Sequence, residues 1–114
     1  MAVIVYTTDP RGLLAAIREA IQAQSIRTWQ VDSDGDFTHT AEQWENRSWM
    51  RPRVLEDRLV FNILAPRGVQ ISRATYGVYH GRFIEMLVTH FDSRLERAVA
   101  TALATSNDVI GSPE

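Results

Sequence analysis

The sequence predicts an α+β domain with an N-terminal strand and helix, an antiparallel meander sheet of about five to seven strands, and a C-terminal helix. Three patterns carry this prediction: a β-branched apolar run leads into a helical repeat, a long middle section alternates with period two, and a second helical repeat follows. Because the connections are too short for further crossovers, both helices are expected on one face of the sheet.

The first two elements are a strand and a helix. Residues 2–6 are apolar and largely β-branched, which predicts a buried strand. Asp9 is a suitable N-cap, and Pro10 suits the first helical position. A helix over about residues 10–24 follows from apolar residues at helical spacing, namely Leu13, Leu14, Ile17 and Ile21.

Alternation then predicts a hairpin and an extended segment. Residues 26–39 alternate, and Asp34 with Gly35 supplies a tight turn between the two arms of the hairpin. Pro52 prevents a helix in residues 49–54, which predicts an extended segment at the edge of the sheet.

Three further strands are predicted over residues 58–64, 69–79 and 82–90, with a turn at His80 and Gly81 before the last of them. Residues 82–90 are apolar on both faces, which favours a central strand.

The last predicted element is a helix. Ser93 and Glu96 have the spacing of a capping box, and a helical apolar stripe follows, formed by Leu95, Ala98, Val99, Ala102 and Leu103. We therefore expect one domain over residues 1–105 and a mobile C-terminal tail over residues 106–114.

Composition narrows the class of protein. The chain has 114 residues and no cysteine, which excludes disulfides, thiol nucleophiles and zinc-thiolate sites. There is neither a leader-like N-terminus nor an apolar run long enough to span a bilayer. These observations predict a soluble cytoplasmic protein without a membrane contact.

Positive charge is concentrated in the middle of the chain. All 12 basic residues are arginines, and seven of them lie between Arg47 and Arg82 against only Glu56 and Asp57. The net charge of −2 therefore conceals a basic segment between acidic ends. Replacement of lysine by arginine is typical of a genome rich in G and C, but it does not explain the clustering.

Tryptophan and arginine alternate in part of this segment, which predicts a binding surface formed by Trp44, Arg47, Trp49, Arg51, Arg53 and Arg58. Such a mixture is typical of protein interfaces, where aromatic anchors and bidentate arginines dominate. It also fits stacking on nucleic acid, although the negative net charge disfavours that partner. The plain alternative is that the tryptophans anchor a loop to the core while the arginines form ion pairs.

A second candidate site is a pocket lined by His39, Tyr76, His80 and Glu85. In the predicted hairpin, Tyr76 lies across from Glu85, and a carboxylate in a central strand requires a partner or a cavity. A pairing of Glu85 with an arginine on the outer face of the sheet is the alternative.

Metal and catalytic signatures are weak. Asp32, Asp34 and Asp36 alternate as in a calcium loop, but Gly35 precedes the third ligand and position 43 is glutamine where that loop ends in glutamate. The three histidines share no ligand spacing, and no phosphate loop or nucleophile motif is present. We therefore predict no metal and no cofactor, and a binding protein in preference to an enzyme.

The resulting hypothesis is a small interaction module of unknown partner that forms a homodimer or binds an acidic protein surface through the Trp/Arg surface. A small-ligand protein or minor enzyme that uses the Glu/Tyr/His pocket is the second hypothesis, and polyanion or nucleic-acid binding is the third.

Overall fold

The computed structural model describes residues 2–111. In this part of the chain the strands are β1 (Ala2–Tyr6), β2 (Trp29–Val31), β3 (Phe37–His39), β4 (Trp49–Val54), β5 (Arg58–Leu64) and β6 (Arg97–Ala100). The helices are α1 (Pro10–Gln22) and α2 (Arg73–Phe91), and a 3-10 turn at Asp92–Arg94 follows α2.

The strands form one sheet in the order β2-β3-β4-β5-β1-β6, and every neighbouring pair is antiparallel. Helix α2 carries the chain from β5 over β1 to β6, so β1 lies inside the sheet although it begins the chain. This is a split β-α-β arrangement with the β2-β3 hairpin added at one side. The α+β class, the antiparallel sheet and the number of helices, two, are confirmed.

Each strand has one face toward the helices. Val3 and Val5 of β1 lie opposite Phe61 and Leu59 of β5, and all four belong to the buried core. Core residues of α1 and α2 join the same cluster, so both helices cover one face. The opposite face, here called the open face, carries the alternate residues of β1, β4, β5 and β6.

Helix α1 begins as its sequence predicts. The Asp9 side chain accepts a hydrogen bond from the backbone N–H of Gly12 at 3.1 Å, and Pro10 occupies the first turn. A Cβ on Gly12 would lie 2.0 Å from the Asp9 carboxylate, so another residue at this position would require the Asp9 side chain to shift.

Helix α2 corrects the prediction for residues 69–90. The strands predicted over 69–79 and 82–90 are wrong, and the predicted turn at His80 and Gly81 lies in mid-helix. The Ser72 hydroxyl caps the helix by accepting from the N–H of Thr75 at 3.1 Å. The error arose because α2 is apolar on nearly every side, which hides the helical period.

The C-terminal helix predicted from Ser93 is also wrong. After the 3-10 turn the chain forms β6, which pairs with the second side of β1 in the register Val3 with Ala100 and Val5 with Ala98. The guanidinium of Arg97 lies over the ring of Tyr6, 4.0 Å from its centroid, and this contact holds the start of the pairing.

The segment after β6 contacts the end of β5. The Asn62 amide donates to Asp108 at 2.9 Å and to Thr105 at 3.0 Å, and the N–H of Val109 donates to the carbonyl of Ile63 at 2.9 Å. These bonds satisfy a buried amide on the open face. Mobility of residues 106–114 stays a prediction, and residues 112–114 lie outside the described part of the chain.

Candidate functional site

The Trp/Arg surface is divided between the two faces of the sheet. Trp49, Arg51 and Arg53 share the open face of β4, whereas Trp44 packs against the core cluster on the helix side. Strand β4 is not an edge strand, because it lies between β3 and β5. However, β3 pairs with it only at Met50, so residues 51–54 have a strand partner on one side only.

The most tightly held arginine of this surface is Arg51. Its guanidinium forms a bidentate ion pair with Asp36, with Nε to Oδ1 at 2.9 Å and Nη2 to Oδ2 at 2.8 Å. Asp36 is buried, with 3% of its surface exposed. The hydrogen bond and the charge of Asp36 raise the pKa of Arg51 above its ordinary value. Arg51 is therefore the counterion of a buried carboxylate.

The other arginines between positions 47 and 82 are dispersed. Arg58 pairs with Asp57 at 2.8 Å, and Arg53 donates to the side-chain oxygen of Asn107 at 2.7 Å when that amide is oriented to satisfy both groups. Within residues 2–111, no hydrogen bond or ion pair is formed by the side chains of Arg47, Arg67 and Arg73. The basic segment thus does not converge on one face.

The three aspartates of the β2-β3 turn are largely occupied by the fold. One carboxylate oxygen of Asp32 accepts from the N–H groups of Asp34 and Asp36, both at 2.9 Å. Their carboxylates lie within 4.8 Å of one another, but Asp36 is already neutralised by Arg51. This arrangement is that of a hairpin turn in which an exposed arginine neutralises one buried carboxylate.

The predicted pocket is only partly assembled. Tyr76 and His80 stack with ring centroids 5.3 Å apart. Glu85 lies nine residues after Tyr76 on the same helix, which places it on the opposite side, and it is exposed. The predicted cross-strand pair of Tyr76 with Glu85 is therefore wrong. Burial, and then the charge of Asp108, raise the pKa of the Tyr76 phenol.

His39 belongs to a separate buried group. Its ring stacks on Trp29 with centroids 4.9 Å apart, its Nδ1 bonds to the carbonyl of Thr28, and Arg82 donates to its Nε2 at 3.1 Å. Because an arginine can only donate, the ring proton lies on Nδ1. The Tyr79 hydroxyl donates nearby to the carbonyl of Trp44. The bonds of Arg82 and Tyr79 fasten α2 to β3 and to the segment after it, and His39 is buried.

The surface that the sequence reading missed is the outer side of α2. Residues spaced three and four apart form a line along the helix that we call the outer stripe: Ala74, Gly77, Gly81, Ile84 and Val88. Ile84 is half-buried, and the other four are exposed, Val88 by 51% of its surface. Glu85 is the charged residue that lies next to the middle of the outer stripe. The outward side of α1, in contrast, carries Arg11, Glu19 and Gln22.

The fold of one chain leaves room for a side chain at both glycines of the outer stripe. A Cβ at Gly77 or Gly81 would meet nothing within 4 Å, and neither residue has a positive φ. A glycine in a helix interior costs about 1 kcal/mol relative to alanine. The signal in the sequence was Gly-x-x-x-Gly between apolar residues, which is a helix surface that permits close approach of another chain.

The comparisons with known proteins found no matching protein-family profile, no similar curated protein and no similar solved structure. Within residues 2–111, no helix is both long and apolar enough to cross a bilayer.

Proposed function

We propose that this protein is an interaction module that self-associates through the outer stripe of α2. The observation that supports the proposal is a helix face with two exposed glycines, the exposed Val88 and the half-buried Ile84, where a solvated helix carries polar and charged residues. Water contact on this face is unfavourable by about 25 cal/mol for each Å² of apolar surface, and association removes it.

The shape of the outer stripe suits a second helix. Packed helices lie 8–10 Å apart depending on the side chains between them, and glycine permits the short end of this range. In an antiparallel pair, the notch at Gly77 and Gly81 receives the branched side chains of Ile84 and Val88 from the second copy. Because the glycines and the branched side chains lie along the same line of the helix, the outer stripe is complementary to a second copy of itself, as a two-fold interface requires.

Charge favours the same antiparallel orientation. Arg73 begins α2, whereas Glu85 and Asp92 lie in and after its second half. Among residues 2–111 none of these three side chains forms an ion pair or a hydrogen bond with another residue. An antiparallel copy brings each basic end near an acidic end, and a parallel copy would bring like charges together.

The Trp/Arg surface stays an alternative contact for the same function. Trp49 and Arg53 are on the open face, but Arg51 is committed to Asp36. A small-ligand function has less support because Glu85 faces away from Tyr76. Polyanion binding has less support because the arginines are dispersed. We further propose a cytoplasmic location, for which the absence of cysteine is the support.

The test is the mass of the protein in solution, by light scattering between about 5 and 200 μM, a range that brackets a micromolar dimer. We expect the wild type to reach twice the chain mass of 12.9 kDa. Val88→Glu should return it to the monomer mass. Val69→Glu is the matched control, because Val69 is 48% exposed against 51% for Val88 and lies outside the helix.

Two results would contradict the proposal. One is a wild-type protein that stays at 12.9 kDa throughout this range. The other is a dimer that Val88→Glu and Val69→Glu weaken equally. If Arg53→Glu breaks the dimer and Val88→Glu does not, the contact lies on the Trp/Arg surface.

A further inference from the structure

Strand β6 is an exposed edge beside the outer stripe. Its residues pair with β1 on one side, and no strand among residues 2–111 pairs with the other side. It contains no proline, and Val99 is 42% exposed on the open face. Natural proteins usually protect such an edge or pair it, because its free backbone groups are a template for another strand.

The outer stripe and β6 lie on the same side of the molecule. Helix α2 packs over β1 and β6, and Arg82 on one of its flanks reaches His39 of β3. Gly77 and Ile84 are on the opposite flank, which is therefore turned toward the β6 edge of the sheet. A second copy seated on the outer stripe would meet β6 as well.

The surface area of the outer stripe also indicates that α2 is only part of the dimer interface. A helix of 19 residues offers a strip about 28 Å long and about 11 Å wide, or roughly 300 Å². A stable dimer buries about 800 Å² on each partner. The outer stripe thus provides less than half of the surface required, and a contiguous second surface has to supply the rest.

We infer that two copies pair their β6 strands antiparallel and so continue the sheet from one subunit into the other, while their α2 helices pack across the same two-fold axis. This inference rests on the proposed self-association and names the second contact. The partner is a second copy of this chain because the two-fold arrangement uses both surfaces, β6 and the outer stripe, at once.

The backbone bonds of β6 determine the register. The N–H of Thr101 donates to the carbonyl of Ala2 at 2.9 Å, so alternation directs the N–H and C=O of Val99 toward β1 as well. The groups of Ala98 and Ala100 point away from β1. Pairing Ala98 with Ala100 of the second copy satisfies them and places the two Val99 residues opposite each other on the open face, beside Ile4.

The register leads to a sharp cross-linking test. In the position without direct hydrogen bonds, opposite Cα atoms are about 4.5 Å apart, which lies within the range of a disulfide. The chain has no cysteine, so each single-cysteine variant reports one contact. With oxidised glutathione, Val99→Cys should form a covalent dimer at least about tenfold faster than Val69→Cys or Val109→Cys, whose valines are 48% and 53% exposed.

A second variant tests the pairing of the β6 strands without introducing a cysteine. Ala100→Pro removes an outward N–H and leaves the bonds to β1 in place, so it should raise the dimer Kd about tenfold or more. Ala102→Pro, two residues later and also exposed, is the control and should leave the Kd unchanged.

The outcomes separate the two proposals. If Val99→Cys cross-links no faster than the controls, or Ala100→Pro leaves the dimer intact while Val88→Glu still breaks it, the β6 pairing is wrong and the helix contact stands. A wild-type protein that is monomeric at 200 μM overturns both.

Discussion

Replacement of Gly81 by arginine separates the folding of one chain from its association. Gly81 lies near the middle of α2 with open space beyond its Cα, so a longer side chain meets no other atom of the same chain. Arginine forms helices almost as well as alanine, whereas glycine does not. Gly81→Arg should therefore stabilise the monomer and at the same time fill the notch of the outer stripe.

Both magnitudes follow from the structure. The exchange of a mid-helix glycine contributes about 1 kcal/mol to the free energy of unfolding, and Glu85 four residues later adds a few tenths through an ion pair. This sum corresponds to a rise of about 5 °C in Tm. In the dimer, the same arginine fills the notch and loses its contact with water, which costs about 3 kcal/mol or roughly a hundredfold in Kd.

The assay combines two measurements. Urea unfolding is measured at a dilution where the wild type and Gly81→Arg are both monomeric, and light scattering is measured at high concentration. Ala15→Arg is the control, since it adds the same charge to the exposed side of α1. We expect Gly81→Arg to be more stable and monomeric, and Ala15→Arg to keep the wild-type mass. A destabilised Gly81→Arg monomer would refute the helix-propensity argument, and an unchanged dimer would refute the role of the outer stripe.

Two further predictions concern the buried carboxylate of Asp36 and the partly buried carboxylate of Asp108. Arg51→Gln removes the counterion of Asp36 and should lower the free energy of unfolding by about 1 kcal/mol, a small value because the Arg51 side chain is 54% exposed to solvent. Urea unfolding measures this loss, with Arg47→Gln as the control. Equal losses in the two variants would contradict the prediction. Burial opposes ionisation of Asp108, but the hydrogen bonds it accepts, among them from Thr105 and Asn62, lower its pKa overall. Its contribution to stability is thus complete above the ordinary aspartate pKa, near 4, and is lost as the pH falls toward the lowered value. The difference in unfolding free energy between the wild type and Asp108→Asn should therefore be largest above about pH 5 and shrink in acid; a constant difference from pH 3 to 7 would contradict the assignment.

Local signals were sufficient for the first half of the fold. The Asp9 cap with Pro10, the helical spacing of α1, and the turn at Asp34 and Gly35 act within a few residues and appear where they were predicted. The strand β5 also appears over the residues 58–64 for which alternation predicted it.

The outer stripe of α2 was harder to predict, because the pattern of apolar residues in a helix depends on what covers each of its sides. A helix with apolar residues on its inner side and on its outer stripe loses the contrast that marks a helical period. Its residues therefore resembled a strand buried on both faces, and Gly81 resembled a turn. The cap at Ser72 was the local signal in favour of the helix.

The sequence by itself determined the α+β class, the first strand and helix, the hairpin and the presence of a basic middle segment. The tertiary structure alone decided three things: that residues 73–91 form a helix, that residues 97–100 complete the sheet beside β1, and that Arg51 neutralises Asp36. The reason is physical. Caps, turns and periodicity are encoded by neighbours in sequence, whereas strand partners and ion pairs depend on groups that only folding brings together.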